Sequence, residues 1–358
     1  MVRRWRRRLP LSLLLLAAST GICTADKLYW TDSRLHVIKR ANIDGSEAED
    51  IITENVDTPR GIAIHHPSGQ VYWADFGSRS IKRATIEGTG VETVLSTGTG
   101  SEAITIGGSP ARIYWSELSG RVMQADMDGG NIQELVPGEF NIIPGLAIHT
   151  EASMLYYADA MNTQIRRRNL GGGTSTDELL VTEDADIYEP RGLAVNDQDG
   201  KIYWCSNIVD KIMRSNLDGT EVETLVTGRT SPMGLAVDRS RGKLFWTDRG
   251  DSPADGINDR VESSNLDGSD FQILVNTDML EPHGIAVLEE DSIRRLLAEE
   301  APAATEEVST PAEEVPAEAE AISSSEATMG DGAAAAPVGG RAGSSWGDLV
   351  SALSGFWR

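Results

Sequence analysis

Cysteine is nearly absent from this chain, with Cys23 and Cys205 the only two. Small extracellular modules usually lean on disulfides, so a chain with a single cysteine beyond residue 25 must be held by its core. The stretch from 26 to 288, about 260 residues, is long enough to bury one. No Asn-x-Ser/Thr sequence occurs, so nothing marks N-glycosylation. Long apolar runs are missing after the leader, and a helix needs about 20 such residues to cross a bilayer; the folded part reads as soluble. Basic charge is scarce too: 32 Lys and Arg stand against 55 Asp and Glu, for a net charge of −23. Residues 1–25 carry +5 and those after 288 carry −10, which leaves −18 on the body. A body this acidic argues against nucleic acid and anionic membranes as partners. Its charge reads mainly as solubilising, with a cationic partner or divalent ions as sharper alternatives.

The first 25 residues stand apart. A basic start (Arg3, Arg4, Arg6, Arg7, Arg8), an apolar run over 9–18 and a small-residue exit ending at Ala25 have the layout of a secretory signal peptide, which predicts a secreted, extracellular protein. An uncleaved anchor that keeps the protein at a membrane is the alternative.

What the chain has in quantity is repetition. The tetrapeptides YWTD (29–32), YWAD (72–75), YWSE (114–117), YYAD (156–159), YWCS (203–206) and FWTD (245–248) start 43, 42, 42, 47 and 42 residues apart. A second apolar-polar strand follows each one, then a turn signal such as Asp44-Gly45, Asp128-Gly129 or Asp218-Gly219, then a short outer strand. Asp-Gly suits a hairpin because both residues tolerate positive φ. A small apolar strand precedes the motif in most repeats: Gly61-Ile62-Ala63-Ile64, Gly145-Leu146-Ala147-Ile148, Gly192-Leu193-Ala194-Val195 and Gly234-Leu235-Ala236-Val237, with Ala103-Ile104-Thr105-Ile106 as a deviant. Both faces of these period-2 strands are apolar, so both are buried. Repeats of four strands with both faces covered describe the blades of a β-propeller. The first motif has no inner strand before it, and the last inner strand, Gly284-Ile285-Ala286-Val287, has no motif after it. Pairing the two gives an all-β, six-bladed ring of four-stranded blades over residues 26–288.

These six motifs and the Gly-x-Ala inner strands resemble the YWTD, or low-density-lipoprotein-receptor class B, repeat family. The resemblance implies a six-bladed propeller and a non-enzymatic extracellular module that binds a protein ligand. Three features depart from the family pattern: Glu117 and Ser206 replace the motif Asp, Tyr157 replaces Trp, and no cysteine-rich module follows. The motif itself reads as structure, with aromatics filling the space between blades and Asp satisfying backbone groups at the strand end.

Strand polarity places the loop after each motif at the same rim as the residue before each inner-strand Gly. That ring is Arg60, Glu102, Pro144, Arg191, Met233 and His283. With Phe76 and Arg249 from the post-motif loops, these are the candidate ligand-binding residues; the arginines read as a local positive patch, and His283 as a residue able to release ligand on acidification. The loop after the sixth motif is the longest and contains Arg249-Gly250-Asp251, the integrin-recognised tripeptide. Asp251, Asp255, Asn258 and Asp259 offer Ca²⁺ an alternative set of oxygen ligands. Otherwise no cofactor is expected. The competing reading is a lactonase-type hydrolase with a metal in the central channel, but Glu102 and His283 supply two ligands where a catalytic site uses three. His65 and His66 read as turn fillers. After 288 the composition changes. Residues 289–343 read as a disordered acidic linker, and 344–358 as a short amphipathic segment for docking or membrane-surface contact.

Overall fold

The computed structural model describes residues 26–138, 142–171, 177–250 and 259–289. The leader, the tail from 290 and Asp251 lie outside them. Among the described residues, strands form six antiparallel sheets of four. Five are consecutive in sequence. The sixth joins Pro282–Leu288 to Lys27–Asp32, Val37–Asn42 and Glu49–Ile52. Leu28 faces Val287, Tyr29 faces Ala286 and Trp30 faces Ile285 across that pair, which is the closure expected from the sequence. Blades are numbered here by their motif, so this composite is blade one.

The alternating pattern produces the burial it implies. Trp30, Trp73, Trp115, Trp204 and Trp246 are fully buried, each among side chains of two neighbouring blades; Trp30, for example, packs with Phe245, Ile285 and Val287. The inner-strand glycines let the six strands approach around the axis. A Cβ on Gly145 would collide with the Arg191 carbonyl of the next blade, and one on Gly284 would lie 2.5 Å from the Arg60 carbonyl. The ring encloses a channel of about 330 Å³ lined by inner-strand residues such as Ile62, Leu146 and Ile285.

The motif Asp is structural. Asp248 accepts backbone N–H groups from Thr230 (2.9 Å), Ser231 (3.1 Å) and Gly250 (3.0 Å), and Asp32 accepts those of Leu280 and Leu35 at 2.8 and 2.9 Å. The two replacements keep the role: Glu117 accepts the Gly98 amide at 3.1 Å, and the Ser206 hydroxyl accepts the Tyr188 amide at 2.9 Å. Buried donors need such partners.

A second set of ties runs between blades. On adjacent strands the first motif residue, a second-strand residue and an outer-strand residue lie side by side: Tyr29–Arg40–Glu49, Tyr72–Arg83–Glu92, Tyr156–Arg167–Glu178 and Tyr203–Arg214–Glu223. In each, the arginine reaches the first carbonyl after the second strand of the next blade. Nη1 lies 3.1, 3.1, 3.0 and 2.8 Å from Ile86, Met127, Leu217 and Leu266 respectively. Each guanidinium is charge-paired with its outer-strand glutamate.

Candidate functional site

The motif ends and the inner-strand starts do share a rim. The amides of Ser33, Phe76, Leu118, Asn207 and Arg249, each just after its motif, donate to carbonyls of the segments leading into the inner strands. The ring residues gather at the mouth of the channel. Arg60 forms an ion pair with Glu102, and its guanidinium lies 3.8 Å above the Phe76 ring centroid, a cation–π stack. Arg191 pairs with Glu189 and Arg249 pairs with Glu281, the latter at 2.7 Å. All three guanidinium groups lie close enough to His283 to affect its protonation.

This geometry corrects the positive patch expected at the rim. Each arginine carries its own carboxylate, so the mouth is a ring of ion pairs with little net charge. Glu102 belongs to the ring itself, and Glu189 and Glu281 lie two residues before Arg191 and His283; it is the folded ring that sets each of them against an arginine. His283 is corrected as well. It is 7% exposed, and burial together with Arg60, Arg191 and Arg249 holds its pKa well below 6.5. A cationic imidazole there would be both desolvated and repelled, so the fold favours the neutral form of His283 and disfavours protonation on mild acidification. Glu102 and Met233 are also buried. Of the ring, Arg60 and Arg191 present side-chain surface, and Pro144 lies at the start of the fourth inner strand, Gly145–His149.

Asp259 is almost completely buried, and neither carboxylate oxygen has a hydrogen-bond partner among the described residues. Burial, then Asp32, raises its pKa to about 7. Among the described residues no group of three or more His, Cys, Asp or Glu is arranged to hold a metal ion. One oxygen of Glu102 pairs with Arg60, and the other is buried without a hydrogen-bond partner among the described residues. His65 and His66 sit at a short 3-10 turn, where His65 Nδ1 meets Ser68 Oγ at 2.7 Å.

Two features of the rim escaped sequence reasoning. The third motif residue positions the ring: the Thr31 hydroxyl donates to the Arg60 carbonyl at 2.5 Å, Thr247 does the same to the His283 carbonyl at 2.5 Å, and each accepts the amide of its own inner-strand Gly at 2.9 Å. The signal available was a hydroxyl residue at that place in three motifs. The other feature is apolar exposure. Leu35, Leu118, Met161 and Ile208 all follow a motif by one to three residues and are exposed, with Met161 and Ile208 each 64% accessible; Tyr188 joins them. They lie on the same rim as the ion-paired mouth.

No helix among the described residues is long and apolar enough to cross a membrane. Comparison with known proteins points one way. Residues 26–66 match the family model for the low-density lipoprotein receptor repeat class B. A human low-density lipoprotein receptor-related protein 5-like protein is 27% identical over 200 residues, 56% of this chain and 62% of the relative. A low-density lipoprotein receptor-related protein 1 of Pyricularia oryzae is 26% identical over 116 residues, 31% of this chain and 37% of the relative. The chain thus matches less than two thirds of either relative's length. A chain in the crystal structure of a nidogen/laminin complex superposes with a TM-score of 0.64 at 19% identity, covering 74% of this chain and 98% of its own length. With six motif copies, six four-stranded blades and one repeat that matches the family model, this protein is similar to the YWTD propellers of the low-density lipoprotein receptor class B repeats.

Proposed function

We propose that this chain is a secreted, non-enzymatic interaction module that binds a protein ligand across the motif-end rim. The observation that carries this reading is the set of exposed apolar side chains, Leu35, Leu118, Met161, Ile208 and Tyr188, on the same rim as the ion-paired mouth. Apolar patches rimmed by polar groups mark association surfaces, and Met, aromatic and Arg side chains are enriched there. The scaffold under them is rigid, so little ordering cost is incurred on binding. Arg60 stacked on Phe76 supplies a pre-ordered centre, flanked by Arg191 and Arg249, with buried Glu102, Met233 and His283 as its floor. Secretion and the extracellular setting are supported by the layout of the leader; Cys205 is fully buried, and burial pushes its thiol well above its ordinary pKa, so it offers no reactive nucleophile.

The test uses the full chain as bait in extracellular fluid from its source, followed by affinity measurement of the retained ligand. Met161→Asp with Ile208→Asp lowers affinity at least about tenfold, or about 1.4 kcal/mol, without changing the melting temperature. Ile132→Asp, on the hairpin between the second and outer strands of blade three, leaves it intact. Loss of ligand in the Ile132 variant with retention in the rim variant places the site on the wrong face. Asp251→Glu separates the Arg249-Gly250-Asp251 reading, since an integrin-type partner does not tolerate the added methylene.

A further inference from the structure

Four of the six blade junctions are bridged by an arginine, and the other two lack it in different ways. In blade six all three tie residues change together, to Phe245, Ser263 and Gln272 on adjacent strands. The phenol hydroxyl, the guanidinium and the carboxylate are all replaced there, and the Gln272 amide is held by Asp270 at 3.1 Å. In blade three only two change. Tyr114 is kept, beside Gln124 and Gln133. The Gln124 amide donates to the Gln133 amide oxygen at 2.8 Å, which holds both side chains within their own blade and leaves the Gln124 oxygen as an acceptor.

The consequence is a cavity of about 330 Å³ where the guanidinium would lie. Arg112, Tyr114, Gln124, Gln133, Ile148 and Leu170 are among the residues that line it. Leu170 is the first residue after the second strand of blade four, the counterpart of Ile86, Met127, Leu217 and Leu266, whose carbonyls accept from the arginines elsewhere. Its amide donates to Ser153 at 2.8 Å, as the amides of Ile86, Leu217 and Leu266 donate to Gly69, Gly200 and Gly242, so the backbone at the missing contact is built as at the filled ones. The hydroxyls of Tyr29, Tyr156 and Tyr203 are each influenced by the bridging arginine, whereas that of Tyr114 is influenced by burial and by Arg112 alone. Arg112 in turn is drawn toward Asp126 at 3.4 Å.

We propose that the junction between blades three and four is a binding site for a guanidinium group, presented as an arginine side chain by a partner protein. The acceptors are the Leu170 carbonyl, the Tyr114 hydroxyl and the Gln124 amide oxygen. Ile148 and Leu170 flank the methylene stem. The guanidinium presents its donors in a rigid plane, whereas an ammonium is a compact, strongly hydrated point charge, and the net charge of −18 on the body favours approach of a cation. The site is on the seam of two blades, separate from the rim, and stands whether or not the rim holds a ligand.

The experiment titrates the full chain with N-acetyl-arginine methylamide, followed by ligand-observed NMR and calorimetry, beside N-acetyl-lysine methylamide, free arginine and phosphate. Saturable binding of the arginine probe, at least about tenfold tighter than the lysine probe, is the expected result. Gln124→Arg with Gln133→Glu installs the tie that four junctions already use, so it folds, melts higher and excludes the probe. Tyr114→Phe removes one acceptor without changing shape and weakens the probe at least about threefold. Absence of saturable binding, or undiminished binding in the double variant, overturns the site. Preference for phosphate overturns it in favour of an Arg112-centred anion site, and tighter binding of free arginine than of the blocked probe overturns the assignment to a protein partner.

Discussion

The Gly284 amide donates to the Thr31 hydroxyl at 2.9 Å, tying the last inner strand to the first motif of the chain. The same hydroxyl donates to the Arg60 carbonyl in the next blade. Ring closure and rim geometry therefore share one side chain, and a change at Thr31 touches both.

Closure should be cooperative. Ending the chain at residue 280 removes Pro282–Leu288 and opens two strand edges, which are templates for aggregation. Such a fragment is expected to be insoluble or to melt far below the full chain, whereas ending at 298 changes little. Thr31→Val is milder, with a loss of about 2 kcal/mol for two hydrogen bonds, measurable by urea unfolding. A soluble fragment 26–280 with unchanged melting contradicts the ring.

The motif acids should differ in worth according to what they hold. Asp248 serves three backbone amides from a buried position, so Asp248→Ala is expected to cost about 3 kcal/mol through orphaned donors. Ser206 exchanges two hydrogen bonds with Tyr188, and Ser206→Ala is expected to cost about 1 kcal/mol. Chemical denaturation of the two variants checks the order.

Stability should respond to pH through two groups of opposite sign. The Asp259 carboxyl has a folded pKa near 7, above its ordinary 3.8. The folded state therefore holds this proton more tightly, and the group's contribution is fully present below pH 3.8 and lost as pH rises through 7. His283 is depressed, so its contribution is present above 6.5 and lost as pH falls toward its folded pKa. Asp259→Asn is expected to raise the melting temperature at pH 8 and His283→Gln to raise it at pH 5, each with little effect at the other pH. Melting curves across that range decide it, and a reversed pattern refutes the assignment.

Ligand capture by the rim should be insensitive to His283 protonation. Burial and three guanidinium groups favour the neutral imidazole, so between pH 7.5 and 6 the affinity of any captured ligand is expected to change no more in the wild type than in His283→Gln. A difference of tenfold between them in that interval restores the histidine to a switching role.

The architecture was legible because its causes are local and repeated. Strands with both faces apolar, Asp-Gly turns and a fixed period each act over a few residues, and the unpaired motif at one end with the unpaired inner strand at the other left one way to close the sheet. Even Glu117 and Ser206, which break the motif, keep an oxygen where backbone donors need one. The rim was not legible in the same way. Arg60 meets Glu102, and His283 meets Arg60, Arg191 and Arg249, only because the ring brings the starts of separate blades to one axis. Whether a charge there is free or paired, or a histidine wet or dry, depends on neighbours that lie far away along the chain. The blade-three junction shows both levels at once. Gln124 and Gln133 stand in the sequence as ordinary residues, and their meaning appears only when strand register sets them against Tyr114 and the Leu170 backbone. Burial patterns are written locally and so survive in the sequence; electrostatic partners are chosen by tertiary contact, and only the folded ring decides them.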